Sequence, residues 1–125
     1  MVKNLKIGRR NDVEARVLRL PGQLYERKDN NIISNIYTYK LINKTSYDIK
    51  NVSFSLRGQV GIVNLVSNSE TIDVPAQGLA EGSLFIEMNL SDLEGDKHKL
   101  TIEVYSGQEL IETTSVTFLG PRSYN

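Results

Sequence analysis

Apolar and polar residues alternate with a period of two along most of this chain, and clusters of Gly, Pro, Asn, Asp and Ser break the alternation at short intervals. The first predicted strand runs from about Val13 to Leu20 and stops at Pro21-Gly22, where a fixed φ followed by a permissive residue favours a turn. From Ile33 to Asn43, Tyr37, Tyr39 and Leu41 fall on one face and Thr38 and Lys40 on the other, the mark of a half-buried strand. A loop at 44–48 follows, and then Val52, Phe54 and Leu56 alternate with Ser53, Ser55 and Arg57. Gly58 and Gly61 bracket a short apolar segment, Val60 to Val66, and the chain continues from Thr71 to Val74, where Pro75 excludes a central ladder position. After Gly78, Leu84, Ile86 and Met88 share a face, which leaves Phe85 pointing outward with Ser83 and Glu87. The segment 91–96 is compatible with a helical turn or a plain loop. Two last strands, His98 to Tyr105 and Glu109 to Phe118, form a predicted hairpin whose loop has two residues, or three with a bulge.

Composition supports the pattern. The chain has 125 residues, enough for one domain with its own core, and 28 of them are Val, Ile or Thr against three alanines, Ala15, Ala76 and Ala80. β-Branched side chains pack well on a pleated surface and lose rotamer freedom in a helix, so the prediction is all-β. Short strands at close spacing lead to an antiparallel immunoglobulin-like β-sandwich of seven to eight strands. With no Trp and no Cys it lacks the pin of antibody domains, and it resembles the fibronectin-type variety held by its core alone. The domain is expected over residues 12–121, with 1–11 a basic stem or junction and 122–125 a tail.

Charge is balanced overall and uneven locally. Fifteen Lys+Arg match fifteen Asp+Glu, which disfavours a globally basic nucleic-acid binder. Residues 1–28 nevertheless carry eight basic against three acidic side chains, net +5, and the remainder has seven against twelve, net −5. Such a lead-in suits a solvated tail and strand edge, or proximity to anionic headgroups. No apolar stretch is long enough to cross a bilayer, and the first ten residues lack the apolar core of a secretory signal, so any export signal is expected upstream.

Candidate chemistry is sparse. Zero cysteines exclude disulfides, thiolate zinc sites, iron–sulfur ligation and thiol nucleophiles from this chain. The single histidine, His98, supplies neither a triad nor a metal site on its own and is expected as a strand-end residue. Asp92, Glu94 and Asp96 alternate in a Gly-containing loop, but the distal bidentate Glu of an EF-hand is missing and Lys97-His98-Lys99 follows, so a solvated loop is expected. The scattered glycines at 78, 82, 95 and 107 make no phosphate cradle, and the Asn-x-Ser/Thr triplets at Asn43, Asn51 and Asn89 are no more than an asparagine-rich chain supplies by chance. Six tyrosines raise base or sugar stacking, but the spacing of Tyr37 and Tyr39 with Leu41 favours core packing. No catalytic, cofactor-binding or metal residue is therefore assigned.

Several segments, taken in order, carry a family likeness: Asp12-Val13-Glu14, the run from Val17 to Tyr25 through Arg19-Leu20-Pro21-Gly22-Gln23, the run from Ile33 to Thr45 through Tyr37-Thr38-Tyr39-Lys40-Leu41, and the closing Phe118-Leu119-Gly120-Pro121. Together they resemble the C-terminal immunoglobulin-like domain of the FixG/CcoG family, the cytochrome c oxidase accessory proteins, over residues 12 to about 121. The resemblance implies a bacterial inner-membrane protein with transmembrane helices and a ferredoxin-like part holding cysteine-ligated iron–sulfur clusters. It also implies a role in assembling the cbb-type oxidase through copper reduction or handling. The cluster-binding cysteines are absent from this sequence, so the implied redox chemistry belongs upstream, and this domain is expected to be tethered to the membrane through an upstream segment.

The resemblance places the domain in the periplasm, although an excess of Lys/Arg next to a membrane helix more often marks the cytoplasmic side. The expected function is a non-catalytic interaction domain that docks an oxidase subunit or assembly factor, with no nucleic-acid or small-molecule partner. The alternatives are a structural spacer and an unrelated ligand- or sugar-binding sandwich. Candidate contacts are Arg19, Gln23, Tyr25, Phe85 and Tyr105, large side chains expected to point outward or to lie in loops.

Overall fold

The computed structural model of the chain describes residues 12–58 and 60–122, so the predicted stem at 1–11 and all but Arg122 of the predicted tail lie outside the described residues. Nine strands are present among the described residues: β1 (Val13–Arg19), β2 (Glu26–Lys28), β3 (Ile32–Asn43), β4 (Ile49–Leu56), β5 (Ile62–Leu65), β6 (Ile72–Val74), β7 (Leu79–Asn89), β8 (Lys97–Ser106) and β9 (Glu109–Leu119). They form two antiparallel sheets, one ordered β1-β3-β7-β5 with β2 also paired to β3, the other ordered β6-β4-β8-β9. This is the immunoglobulin-like sandwich expected from the alternation, with more strands than the seven to eight predicted. The surplus is β2, three exposed residues that carry no alternation, while the short apolar segment at 60–66 and the segment at 71–74 appear as the short edge strands β5 and β6.

The inward faces are the ones the period of two predicts. Tyr37, Tyr39 and Leu41 of β3 and Leu84, Ile86 and Met88 of β7 meet Val52 and Phe54 of β4 and Leu100, Ile102 and Val104 of β8 in one core. The Tyr39 and Phe54 rings join the two sheets, 5.3 Å between centroids and tilted by 57°. Gly82 lies opposite Tyr39 on β7, and a Cβ there would sit 2.6 Å from the phenol oxygen, so the absent side chain makes room for the ring. The segment after Leu90 begins with a 3-10 turn, Leu90–Asp92, and then opens into a loop, which combines the two readings left open for it.

The final hairpin likewise combines its two readings. Ser106 pairs with Glu109 across the two-residue loop Gly107-Gln108, and the register then shifts so that Ile111 is an extra residue between Leu110, opposite Tyr105, and Glu112, opposite Val104. Gly107 has φ 62° and Gln108 does not share a positive φ, as in a type II′ turn.

Three polar side chains on the inward face of β3 tie the sandwich together. Asn35 accepts from the Leu119 N–H at 2.8 Å and donates to the Leu119 carbonyl at 2.9 Å, and the Tyr37 hydroxyl donates to the Thr117 carbonyl at 2.8 Å. Among the described residues β9 pairs only with β8, so these side chains occupy groups on its outer edge that no described strand pairs. Asn43, 1% exposed, donates to the carbonyls of Tyr47, Val74 and Pro75 and accepts from the Thr45 N–H and hydroxyl, which fixes the loop between β3 and β4.

Candidate functional site

The sequence-predicted contacts separate into three places. Leu20 to Gln23 forms a turn closed by the Gln23 N–H on the Leu20 carbonyl at 3.2 Å, with Gly22 at φ 82° following Pro21, the sequence and dihedral signature of a type II turn. β1 and β2 both pair antiparallel with β3 in successive register, and between them the turn lifts the segment 20–25 over the outer face of the larger sheet, anchored by the Leu20 N–H on the Ile36 carbonyl at 3.2 Å. Gln23, Leu24 and Tyr25 of this segment then line a groove with Ser34 and Ile36 of β3 and Phe85 of β7. Three of the five candidates, Gln23, Tyr25 and Phe85, are thus brought together although Phe85 lies about sixty residues further along the chain.

The groove is largely apolar and aromatic, with Gln23 and the Glu26 carboxylate also in its lining and a polar base. Leu24 is 68% exposed and Tyr25 39%, and Leu18, on the same sheet, is 66% exposed. Lys28 sits 5.7 Å above the Phe85 ring and donates to Glu87 at 2.9 Å; that hydrogen bond, more than the charge of Glu87 alone, holds the ammonium above its ordinary pKa. At the base of the groove the Ser34 hydroxyl is buried and has no hydrogen-bond partner among the described residues, a polar group of the kind that folded proteins normally satisfy.

The other two candidates stand elsewhere. Tyr105, on the opposite sheet, donates its hydroxyl to Glu103 at 2.9 Å, and Glu103 in turn accepts from Arg57 at 2.7 Å. Arg57 first and Tyr105 second hold the Glu103 carboxyl below its usual range, while the hydrogen bond to Glu103 raises the Tyr105 phenol. This is a self-contained surface triad. Arg19 projects from the end of β1 into a second groove, between β1 and β9, together with Tyr37, Lys97 and Lys99.

The expected strand-end histidine acts locally. His98 Nε2 accepts the Glu94 N–H at 3.1 Å and so latches the loop 94–98. Among the described residues no group of three or more acidic or histidine side chains is placed to hold a metal ion. Sequence reasoning did not select Leu18, Leu24 or Ser34. The signal for Leu18 was present, because Val13 and Val17 face inward and the next residue must face out.

A family model described as "IG-like fold at C-terminal of FixG, putative oxidoreductase" matches residues 5–121. The chain belongs to the FixG C-terminal family. The sandwich is similar to the crystal structure of a FixG-related protein from Vibrio parahaemolyticus, with a TM-score of 0.67 and 17% identity, covering 86% of this chain and 95% of that one. At that identity the likeness concerns the fold. No curated protein matches the chain. Membership of the FixG family removes the alternative of a ligand- or sugar-binding sandwich unrelated to it, and it places the groove of Gln23, Tyr25 and Phe85 on the IG-like C-terminal domain of what the family description calls a "putative oxidoreductase".

Proposed function

We propose that this FixG C-terminal domain is a non-catalytic docking module, and that its groove on the outer face of the larger sheet receives an oxidase subunit or assembly factor. The supporting observation is the convergence of Gln23, Tyr25 and Phe85 around an exposed Leu24. Aromatic side chains that are partly fixed by the fold and partly open to solvent supply contact area at small entropic cost, the character of an interface anchor. In this reading the cysteine-free domain leaves electron transfer to iron–sulfur clusters upstream, in a protein of the bacterial inner membrane whose periplasmic side carries this sandwich. Its role is to bring that redox part to the cbb-type oxidase during assembly.

The test uses the full-length protein in its native host, with Leu24→Asp and Phe85→Ala combined. Both side chains lie outside the core, so protein level and fold are expected to hold. Docking predicts loss of co-purified oxidase subunits and of assembled oxidase at normal protein level. Unchanged co-purification rejects this groove. Deleting the whole domain separates docking from a spacer role, because a spacer predicts loss of the accessory protein itself.

A further inference from the structure

Most described cations on this domain have a carboxylate partner: Arg16 and Lys44 have Glu14, Lys28 has Glu87, Lys40 has Glu81, Lys50 has Asp73, Arg57 has Glu103 and Arg122 has Asp96. Four have none among the described residues: Arg27, which donates to the Asn31 side chain at 3.0 Å, and Arg19, Lys97 and Lys99, which all line the groove between β1 and β9, to which no described Asp or Glu contributes. Arg19 comes from the first strand of one sheet and the lysines from β8 of the other, so the fold gathers them from residues about eighty apart. Asp96, the neighbour of Lys97, is engaged by Arg122 at 3.8 Å.

We propose that this groove binds an extended acidic segment of a partner protein, with carboxylates at alternate positions set against Arg19, Lys97 and Lys99 and apolar side chains against Leu18 and Leu119. Lys97 and Lys99 project from the same face of β8 about 6.7 Å apart, the spacing at which an extended peptide repeats its side chains on one face. The volume of about 660 Å³ exceeds a single small anion and accommodates several side chains. The walls include exposed Ser115 and Thr117, whose hydroxyls can donate to carboxylates, and the partly apolar floor is rigid because Val17 and Val116 are buried and Tyr37 is tied to Thr117. A long polyanion such as nucleic acid is disfavoured, because residues 29–125 carry net −5 around this one cationic strip. The site is independent of the Gln23–Tyr25–Phe85 groove and involves different side chains.

The test titrates the ¹⁵N-labelled chain with a Gly-Glu-Leu-Glu-Leu-Glu-Gly peptide and, separately, with the same peptide carrying Gln for Glu. The proposal predicts saturable amide shifts at Leu18, Arg19, Lys97, Lys99 and Thr117 for the acidic peptide only, weakening as salt is raised. Arg19→Glu with Lys97→Glu is expected to lower affinity at least roughly tenfold, from modest contributions of each exposed pair plus the new repulsion. The milder Lys97→Gln with Lys99→Gln tests the same cations without introducing negative charge and is expected to lower affinity several-fold. Absence of saturable shifts, shifts centred elsewhere, equal binding of the Gln peptide, or equal or tighter binding of a single-stranded oligonucleotide or of phosphatidylglycerol vesicles through the same residues would each overturn the assignment.

Discussion

Replacing Asn35 with Ala removes the polar clamp between β3 and the edge of β9. The side chain is 1% exposed and makes two bonds to one residue, at 2.8 and 2.9 Å, so both the N–H and the carbonyl of Leu119 lose their partner at once. Two neutral hydrogen bonds contribute about 1 kcal/mol each, and an orphaned buried group adds about 1–3 kcal/mol. Leu119 is only half-buried and lines the β1–β9 groove, so water can relieve part of that penalty. The expected loss is about 3 kcal/mol in urea unfolding followed by circular dichroism, or a fall of roughly 10–15 °C in Tm for a domain of this size.

Asn35→Asp sharpens the test. Its carboxylate still accepts from the Leu119 N–H but cannot donate to the carbonyl, and it places a charge in the core. At neutral pH it should be less stable than Asn35→Ala. Burial raises the pKa of the introduced carboxyl above its unfolded value, so its relative stability is fully present below the unfolded pKa and is lost as pH rises through the folded one. In acid the protonated group again offers one donor and one acceptor, and the deficit against wild type should shrink. A loss below about 1 kcal/mol for Ala, or an Asp deficit that does not change with pH, refutes the clamp as a source of stability.

Two further substitutions examine the core between the sheets. Burial pushes the Tyr37 phenol far above its ordinary value of 10.0, with Arg19 opposing the shift, so folded protein keeps a proton that unfolded chain loses; stability is then full below about pH 10 and falls above it. Tyr37→Phe is expected to cost about 1 kcal/mol at neutral pH through the lost bond to Thr117 and to flatten the alkaline decline in unfolding free energy, with the buried Tyr39 accounting for part of what remains; an unchanged alkaline slope contradicts this. Gly82→Ala places a Cβ 2.6–2.9 Å from the Tyr39 ring and should destabilise by about 1–3 kcal/mol while shifting the aromatic resonances of Tyr39 and Phe54; a stability equal to wild type would mean the ring yields freely.

How much of this was legible follows from what a period of two encodes. The alternation of Tyr37, Tyr39 and Leu41 and of Leu84, Ile86 and Met88 carries the inward faces, and with them the sandwich, because a one-residue slip would expose the whole set. The same alternation puts Asn35 and Asn43 inside, yet a polar residue at an inward position says nothing about where its partner is. Asn35 finds its partner 84 positions away, and Asn43 serves the loop that follows it. β2 left no trace because three exposed residues obey no periodicity. At the candidate site, Pro21-Gly22 announced a turn but not the face it would cross, so the meeting of Tyr25 with Phe85 was visible only in three dimensions. Lys97 and Lys99 entered the sequence reading only as cations that follow the acidic loop, and they acquire a role once β1 brings Arg19 to the same groove.

The clamp and the basic groove are physically linked, and the link constrains how the groove can work. An extended segment beside a free sheet edge usually gains affinity by adding a strand through main-chain hydrogen bonds. Here the Thr117 carbonyl is held by Tyr37 and both main-chain groups of Leu119 by Asn35, so that route is closed along the last part of β9. A segment lying there is held by side chains, through Arg19, Lys97 and Lys99 and the apolar walls. Charge pairs exposed to solvent are screened within about 8–10 Å at ordinary ionic strength, so such a contact is weak singly, fast and salt-sensitive. It suits steering and transient engagement better than a permanent assembly. The aromatic groove around Leu24, with its desolvated hydroxyl and one lining carboxylate, Glu26, has a different character, and binding there should vary much less with salt. The ionic-strength dependence of partner binding therefore reports which of the two grooves carries the contact.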